Sequence, residues 1–346
     1  MEQIKTELPA SSDYFLDILP KIFKTSIKNL HCFSLRGDAS DRNYFRLRFD
    51  TLENSISSVV LMQLMNPPIP KNTEFVTTQA FLAECGINIP GLYFKDYDKG
   101  FIFLEDLGDM TLEEKLNSST SVEQEMYYKK ALDILLNMQV ECTKQISKDI
   151  PAYHLSFDLE KLTWELDFMT TYFIGGFLKQ TISEKDKQIL RKEFFKISSF
   201  LAKQKRYFCH RDFHSRNIMI HKENLILIDF QDARMGPCQY DLASLLRDSY
   251  FKLNPGLIEK LLNEYINKKE RIEESPVNKE EFLKVFDWMC IQRNLKALGT
   301  FGYQVSEKEN ERYRDAIPRT IKYVFTNLGK YNDLQRLKKY LEMLYN

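Results

Sequence analysis

The chain has 346 residues, enough for roughly two domains or one domain of two lobes, and its 43% hydrophobic and 13% aromatic content excludes disordered and collagen-like classes. Its 49 basic and 49 acidic residues cancel, so no global field draws nucleic acid or an anionic membrane, and a polyanionic ligand has to be held locally. Six scattered cysteines without a C-x-x-C pair fit neither a zinc cluster nor a disulfide framework, and with no targeting segment or membrane helix in view the expected location is the cytoplasm.

In chain order, Phe15, Ile18, Leu19, Ile22 and Phe23 recur at helical spacing behind a cap at Ser12 or Asp13, predicting a helix over 12–23. Strand-like runs follow at 31–35, 44–49 and 58–65, separated by turn-rich pieces, as in an antiparallel meander. A helix is expected over 73–85, stopped by Gly86, and then two strands at 93–94 and 100–105. The polar turn Glu105-Asp106-Leu107-Gly108-Asp109 is the expected hinge, dividing a lobe of residues 1–105 from one of 106–346. Beyond it the pattern changes to amphipathic helices at 121–139, 158–172, 184–201, 257–266, 279–298 and 316–328. One stretch interrupts them: at 207–232 a loop rich in His, Arg and Asp runs into two short apolar strands, 218–220 and 225–228.

That interruption carries the chemistry. His210-Arg211-Asp212-Phe213-His214-Ser215-Arg216-Asn217, followed after a hairpin by Leu227-Ile228-Asp229-Phe230, reproduces the catalytic-loop and metal-loop spacing of kinases. Phosphoryl transfer needs a carboxylate near the attacking hydroxyl, and a second carboxylate and an amide on Mg²⁺ to neutralise phosphate charge. Asp212, Asp229 and Asn217 supply those groups. A solvated surface loop would not be interleaved with Phe208, Cys209, Phe213 and the apolar run 218–220. His210 and His214 at i, i+4 lack the helix and glutamate of a zinc pair, and Ser215 lacks the flanking glycines of a nucleophile elbow.

These motifs resemble the phosphotransferase enzyme family of aminoglycoside phosphotransferases and choline kinases, and more closely its branch of anomeric N-acetylmuramate and N-acetylglucosamine kinases. The resemblance is carried by Gly37 to Arg46, Leu104 to Gly108, His210 to Asn217, Ile228 to Ala233, Gly236-Pro237, Tyr240 to Asp248 and Gln292 to Gly299, in the family's order. It implies an α+β, protein-kinase-like fold of two lobes: a small antiparallel-sheet lobe with one helix, and a larger, mostly helical lobe. It implies ATP and Mg²⁺ as cofactors, Asp212 as the base or hydroxyl-orienting group, and Asn217 and Asp229 on the metal. Gly37, Ser40, Arg46, Glu105 and Leu107 are the expected nucleotide contacts.

Asp241 resembles the aspartate that braces the catalytic loop, with a helix N-cap as its other reading. His210 reads as packed and structural, whereas His214 and Arg216 are either phosphate contacts or solvent-exposed. The strand run 59–65 contains no lysine, although most kinases hold the α- and β-phosphates with one there. Either Gln63, Lys71 or an arginine such as Arg46 substitutes, or the phosphates are held mainly by metal, or the enzyme is inactive. For the acceptor, Trp164, Glu165, Trp288, Gln292, Arg293, Tyr303 and Tyr313 mix aromatic faces with hydrogen-bonding heads, and also suit core positions. The amides and cations of Gln231 to Arg234 and Gln292-Arg293 fit a neutral or anionic sugar better than a polycationic aminoglycoside. The expected protein is a monomeric or weakly dimeric kinase of an N-acetylated amino sugar. Its alternatives are an aminoglycoside or amino-alcohol phosphotransferase and an inactive pseudokinase.

Overall fold

The computed structural model describes residues 4–35, 42–51, 56–70 and 73–345. The chain divides into two compact units: residues 1–77, 88–110 and 219–228, and residues 78–87, 111–218 and 229–346. The lobes expected from sequence, 1–105 and 106–346, cut the chain once, whereas its contacts place the hairpin 219–228 with the first unit and 78–87 with the second.

The first unit is built on an antiparallel sheet of β1 (Ile4–Lys5), β2 (Ile27–Leu35), β3 (Arg42–Thr51), β4 (Ile56–Leu64), β5 (Leu92–Asp96) and β6 (Phe101–Glu105), in the order β1-β2-β3-β4-β6-β5. Register pairs Leu47 with Val59 and Phe45 with Leu61. Alternation along the strands therefore turns Leu47, Phe49, Val59, Leu61, Phe101 and Phe103 to one face. Phe15 and Leu19 of the helix Ser12–Phe23 close over that face. The helix is capped one residue earlier than expected, because the Tyr14 N–H donates to the Ser11 hydroxyl. A hairpin of β8 (Ile218–His221) and β9 (Asn224–Leu227) is tied to this unit by Leu227 N–H to the Asn88 carbonyl and Ile220 N–H to that of Met110.

The second unit is mostly helical. Its longer helices are Ser121–Asn137, Leu159–Met169, Glu184–Ala202, Pro255–Glu273, Lys279–Ser306 and Ile317–Leu328. Lys279–Ser306 is buried over about two thirds of its length and forms the spine of the unit. Gly299 and Gly302 let it approach another helical segment closely: a Cβ at 302 would stand 2.5 Å from the Tyr172 carbonyl oxygen, and one at 299 would stand 2.8 Å from the Met169 Cα. Two helices end in π-turns, Met138–Cys142 and Thr170–Phe177, which carry the chain beyond the helices 121–139 and 158–172 expected from sequence. The first has a function in the fold. Its Gln139 donates to the Cys238 carbonyl at 2.8 Å, while Thr143, just beyond it, accepts from the Phe208 N–H at 2.7 Å. Both chain segments that frame the polar loop are thereby anchored.

Candidate active site

The loop is held by β7 (Arg206–Cys209) pairing antiparallel with β10 (Arg234–Pro237), a pairing not read from the sequence. From β7 the backbone turns through Arg211 at φ 85°, a left-handed conformation costly for a residue with a Cβ. Asp241 supports the turn. It is fully buried, and its two carboxylate oxygens accept the N–H groups of His210 at 2.6 Å and Arg211 at 3.0 Å. Burial pushes its carboxyl up to about 7 even though those two donors act in the opposite direction. Asp241 sits inside the helix Gln239–Leu246, which begins at Cys238 without a side-chain cap bond, so of its two readings the structure gives the brace. Asp248 performs the same service further on, accepting from the N–H groups of Ser215 at 2.9 Å and Tyr250 at 2.8 Å.

Asp212 is thereby presented with its side chain 23% exposed. Lys296 Nζ lies 2.9 Å and Arg293 Nη2 3.4 Å from its Oδ1. The low-dielectric surroundings act to raise its carboxyl, but Lys296, then Arg211 and Arg293, hold it well below the usual carboxylate range. Asp212 is therefore an anion throughout the neutral range, a good orienting acceptor and a weak base. Lys296 was not singled out from the sequence as a site residue. Its signal was available, since Arg293 and Lys296 stand at i, i+3 in an otherwise largely apolar helical run.

Asn217 converges on the same point. Its amide nitrogen donates to the Asp212 carbonyl at 3.0 Å and lies 3.4 Å from Asp229 Oδ2, while Gln231 donates to Asp229 Oδ1 at 2.8 Å. Asp229 is itself left-handed, at φ 64°. The Asn217 amide oxygen and the exposed Asp229 carboxylate are hard oxygen donors side by side, a set suited to Mg²⁺, which keeps several waters and takes substrate phosphate oxygens. Among the described residues no group of three or more His, Cys, Asp or Glu side chains forms a metal cage.

Arg216 and His214, the loop residues considered as phosphate contacts, are already engaged. Arg216 pairs with Glu113 at 2.6 Å and lies over the Tyr250 ring, and His214 meets the same ring edge-on. Burial pulls the His214 imidazole down to about 3, so it is neutral. His210 is buried and packs edge-on to Phe213. Of the residues considered for the acceptor, Arg293 alone bonds Asp212. Gln292 donates to Glu165 at 2.9 Å in the buried interior, and Trp164, next to Glu165 in sequence, is exposed. Trp288, Tyr303 and Tyr313 belong to aromatic packing, against Phe200 and Tyr331, Phe168 and Tyr172, and Phe301 respectively.

The expected nucleotide contacts fall in the first unit. Gly37 and Ser40 lie outside the described residues, as does Lys71. Arg46 does not stand free for a phosphate: its guanidinium pairs with Asp106 at 2.7 Å and Asp109 at 2.9 Å and donates to the Gly108 carbonyl. That corrects its assignment, since two carboxylates already neutralise it and it braces the turn 105–109. Glu105 accepts the Gly91 N–H at 3.2 Å. Leu107 packs with Met219, Ile226 and Ile228, and its carbonyl faces the His221 ring.

A carboxylate held ionised by Lys296, Arg211 and Arg293, next to an Asn and Asp pair of hard oxygen donors, is an arrangement fit for phosphoryl transfer. The model of the phosphotransferase enzyme family matches residues 34–275, and the chain belongs to that family. It is 30% identical over 304 residues to the N-acetylmuramate/N-acetylglucosamine kinase of Neisseria meningitidis, spanning 87% of this chain and 86% of that one. It is 29% identical to the kinase of the same description from Pseudomonas aeruginosa, over 89% and 87% of the two chains. Among solved structures it is similar in fold to ADP-bound aminoglycoside phosphotransferase APH(2'')-Ib, with TM-score 0.58 and 16% identity over 90% of this chain and 98% of that one. Choline kinase from Cryptosporidium parvum gives TM-score 0.60 and 11% identity over 97% and 100%. The two-lobed, protein-kinase-like fold expected from sequence is the fold observed. No helix among the described residues is long and apolar enough to cross a membrane.

Proposed function

We propose that the chain is an ATP- and Mg²⁺-dependent kinase that phosphorylates the anomeric hydroxyl of an N-acetylated amino sugar. The observation that carries this reading is the convergence of Asp212, Asn217 and Asp229, joined by the Asn217 amide. The relatives described as N-acetylmuramate/N-acetylglucosamine kinases over most of their length supply the acceptor class. Mg²⁺ held by Asn217 and Asp229 would neutralise charge on the transferring phosphoryl group. Asp212 would accept a hydrogen bond from the attacking hydroxyl and take its proton late. A carboxylate held this far down is a weak base, and the anomeric hydroxyl, more acidic than the ring alcohols, asks for no stronger one. Gly37, Ser40, Glu105 and Leu107 remain the proposed nucleotide contacts. The test is ATP turnover by the full chain against N-acetylmuramate, N-acetylglucosamine, an aminoglycoside and choline. Turnover confined to the last two would overturn the amino-sugar reading.

A further inference from the structure

The second unit gathers more positive charge around Asp212 than phosphoryl chemistry there uses. Arg293 and Lys296 bond Asp212. Arg211 instead turns to Asp232 at 2.8 Å, with its side chain 19% exposed. Lys161, on the helix Leu159–Met169, stands 3.8 Å from Glu165 Oε1, beyond hydrogen-bond distance, and 3.9 Å over the ring of exposed Trp164. The other Glu165 oxygen is taken by Gln292. Several elements thus bring charge to one place: Lys161 and Glu165 from their helix, Arg211 and Asp212 from one loop and Asp232 from the next, Arg234 from β10, and Arg293 and Lys296 from the long helix. Five cations stand against three carboxylates, and among them neither Lys161 nor Arg234 donates a hydrogen bond to a carboxylate: Arg234 gives its Nε to the Asp232 carbonyl and lies over the Phe157 ring, which leaves Lys161 as the one beside the exposed indole. Its ammonium feels Glu165 as attraction and Arg211, Arg234 and Lys296 as repulsion, and burial above all brings it down to about 8. A carboxylate entering there would relieve that repulsion and form a charge-assisted hydrogen bond, while the adjoining indole offers an apolar face to a sugar ring.

We propose that Lys161, together with Arg211, forms a carboxylate-binding subsite for the acceptor, so that the enzyme favours an acidic N-acetylamino sugar over its neutral parent. This deepens the amino-sugar reading and rests on it. The experiment compares kcat/KM for N-acetylmuramate, which carries a carboxylate, with that for N-acetylglucosamine, in wild type, Lys161→Met and Lys161→Arg. Loss of one charge-assisted contact corresponds to roughly a 10- to 100-fold loss. Lys161→Met should lose that much on the acidic sugar, mainly through KM, and less than about threefold on the neutral one, with Lys161→Arg retaining most of the preference. In the wild type the KM for the acidic sugar should rise as pH climbs through about 8, where Lys161 loses its proton, and that for the neutral sugar should not. Equal losses on both sugars, or an acidic-sugar KM untouched by Lys161→Met, would overturn the subsite and leave the kinase reading intact. Wild-type turnover of neither sugar would overturn the amino-sugar reading, and the subsite with it.

Discussion

Lys296 of the helix Lys279–Ser306 sets its ammonium 2.9 Å from the carboxylate of Asp212, a residue 84 positions away in the chain. The pair links the packing of the helical unit directly to the chemistry of the loop. Lys296→Met should lower kcat by about tenfold or more while leaving the nucleotide KM unchanged, because it frees the Asp212 carboxylate from its nearest partner without touching Asn217 or Asp229. Lys296→Arg should recover part of the loss. A rise in the nucleotide KM at constant kcat would place Lys296 elsewhere in the reaction.

Asp212 and Asp229 should separate cleanly. Asp212→Ala is expected to cut turnover by ~10²–10⁴ with Mg·ATP affinity retained, since its contacts are to Lys296 and Arg293 and its proposed role is toward the attacking hydroxyl, not the metal. Asp229→Ala should weaken Mg·ATP binding itself. Titration calorimetry with Mg²⁺ and with excess chelator distinguishes them: the chelator should abolish tight nucleotide binding by Asp212→Ala, and should make little difference to Asp229→Ala.

The Asp241 brace has a pH signature. Its folded carboxyl is raised to about 7 from an ordinary value near 3.8. The folded state therefore holds a proton that the unfolded chain has released. That stabilisation is fully present below about pH 4 and is lost as pH rises to about 7. Asp241→Asn should remove this dependence and cost about 1–3 kcal/mol at pH 5, because one of the two N–H groups it serves then faces an amide donor. Denaturant unfolding at pH 5 and pH 8 checks both, the gap between wild type and variant narrowing at the higher pH.

The long helix depends on its glycines. Gly302→Ala would drive a methyl into the backbone at Tyr172 and Phe173 and should destabilise the protein by about 3 kcal/mol. A variant with an unchanged denaturation midpoint would mean that the two segments separate easily.

Much of this was legible in the sequence because the information is local. The spacing from Asp212 to Asn217 and Asp229 reads directly, and the strand-like runs of β3, β4 and β6 reveal the sheet. The opening helix Ser12–Phe23 and the hairpin of β8 and β9 were likewise readable from short-range pattern. What was not legible is the pairing of distant segments. The antiparallel match of Cys209 with Arg234 and the reach of Lys296 to Asp212 leave no local trace. Arg46 shows the same limit: an arginine on a strand looks available, and only the fold brings Asp106 and Asp109 to it. Aromatic residues at helical spacing do not say whether they line a pocket or a core, and Trp288, Tyr303 and Tyr313 pack with other rings.

The central claim is that O1 of an N-acetylated amino sugar attacks the phosphoryl group. The most direct measurement is NMR of the product formed from ATP and N-acetylglucosamine or N-acetylmuramate, alongside the methyl glycoside of the same sugar. A sugar 1-phosphate whose anomeric carbon couples to phosphorus, with no product from the methyl glycoside, is the expected result. A 6-phosphate, or equal phosphorylation of the methyl glycoside, would contradict it.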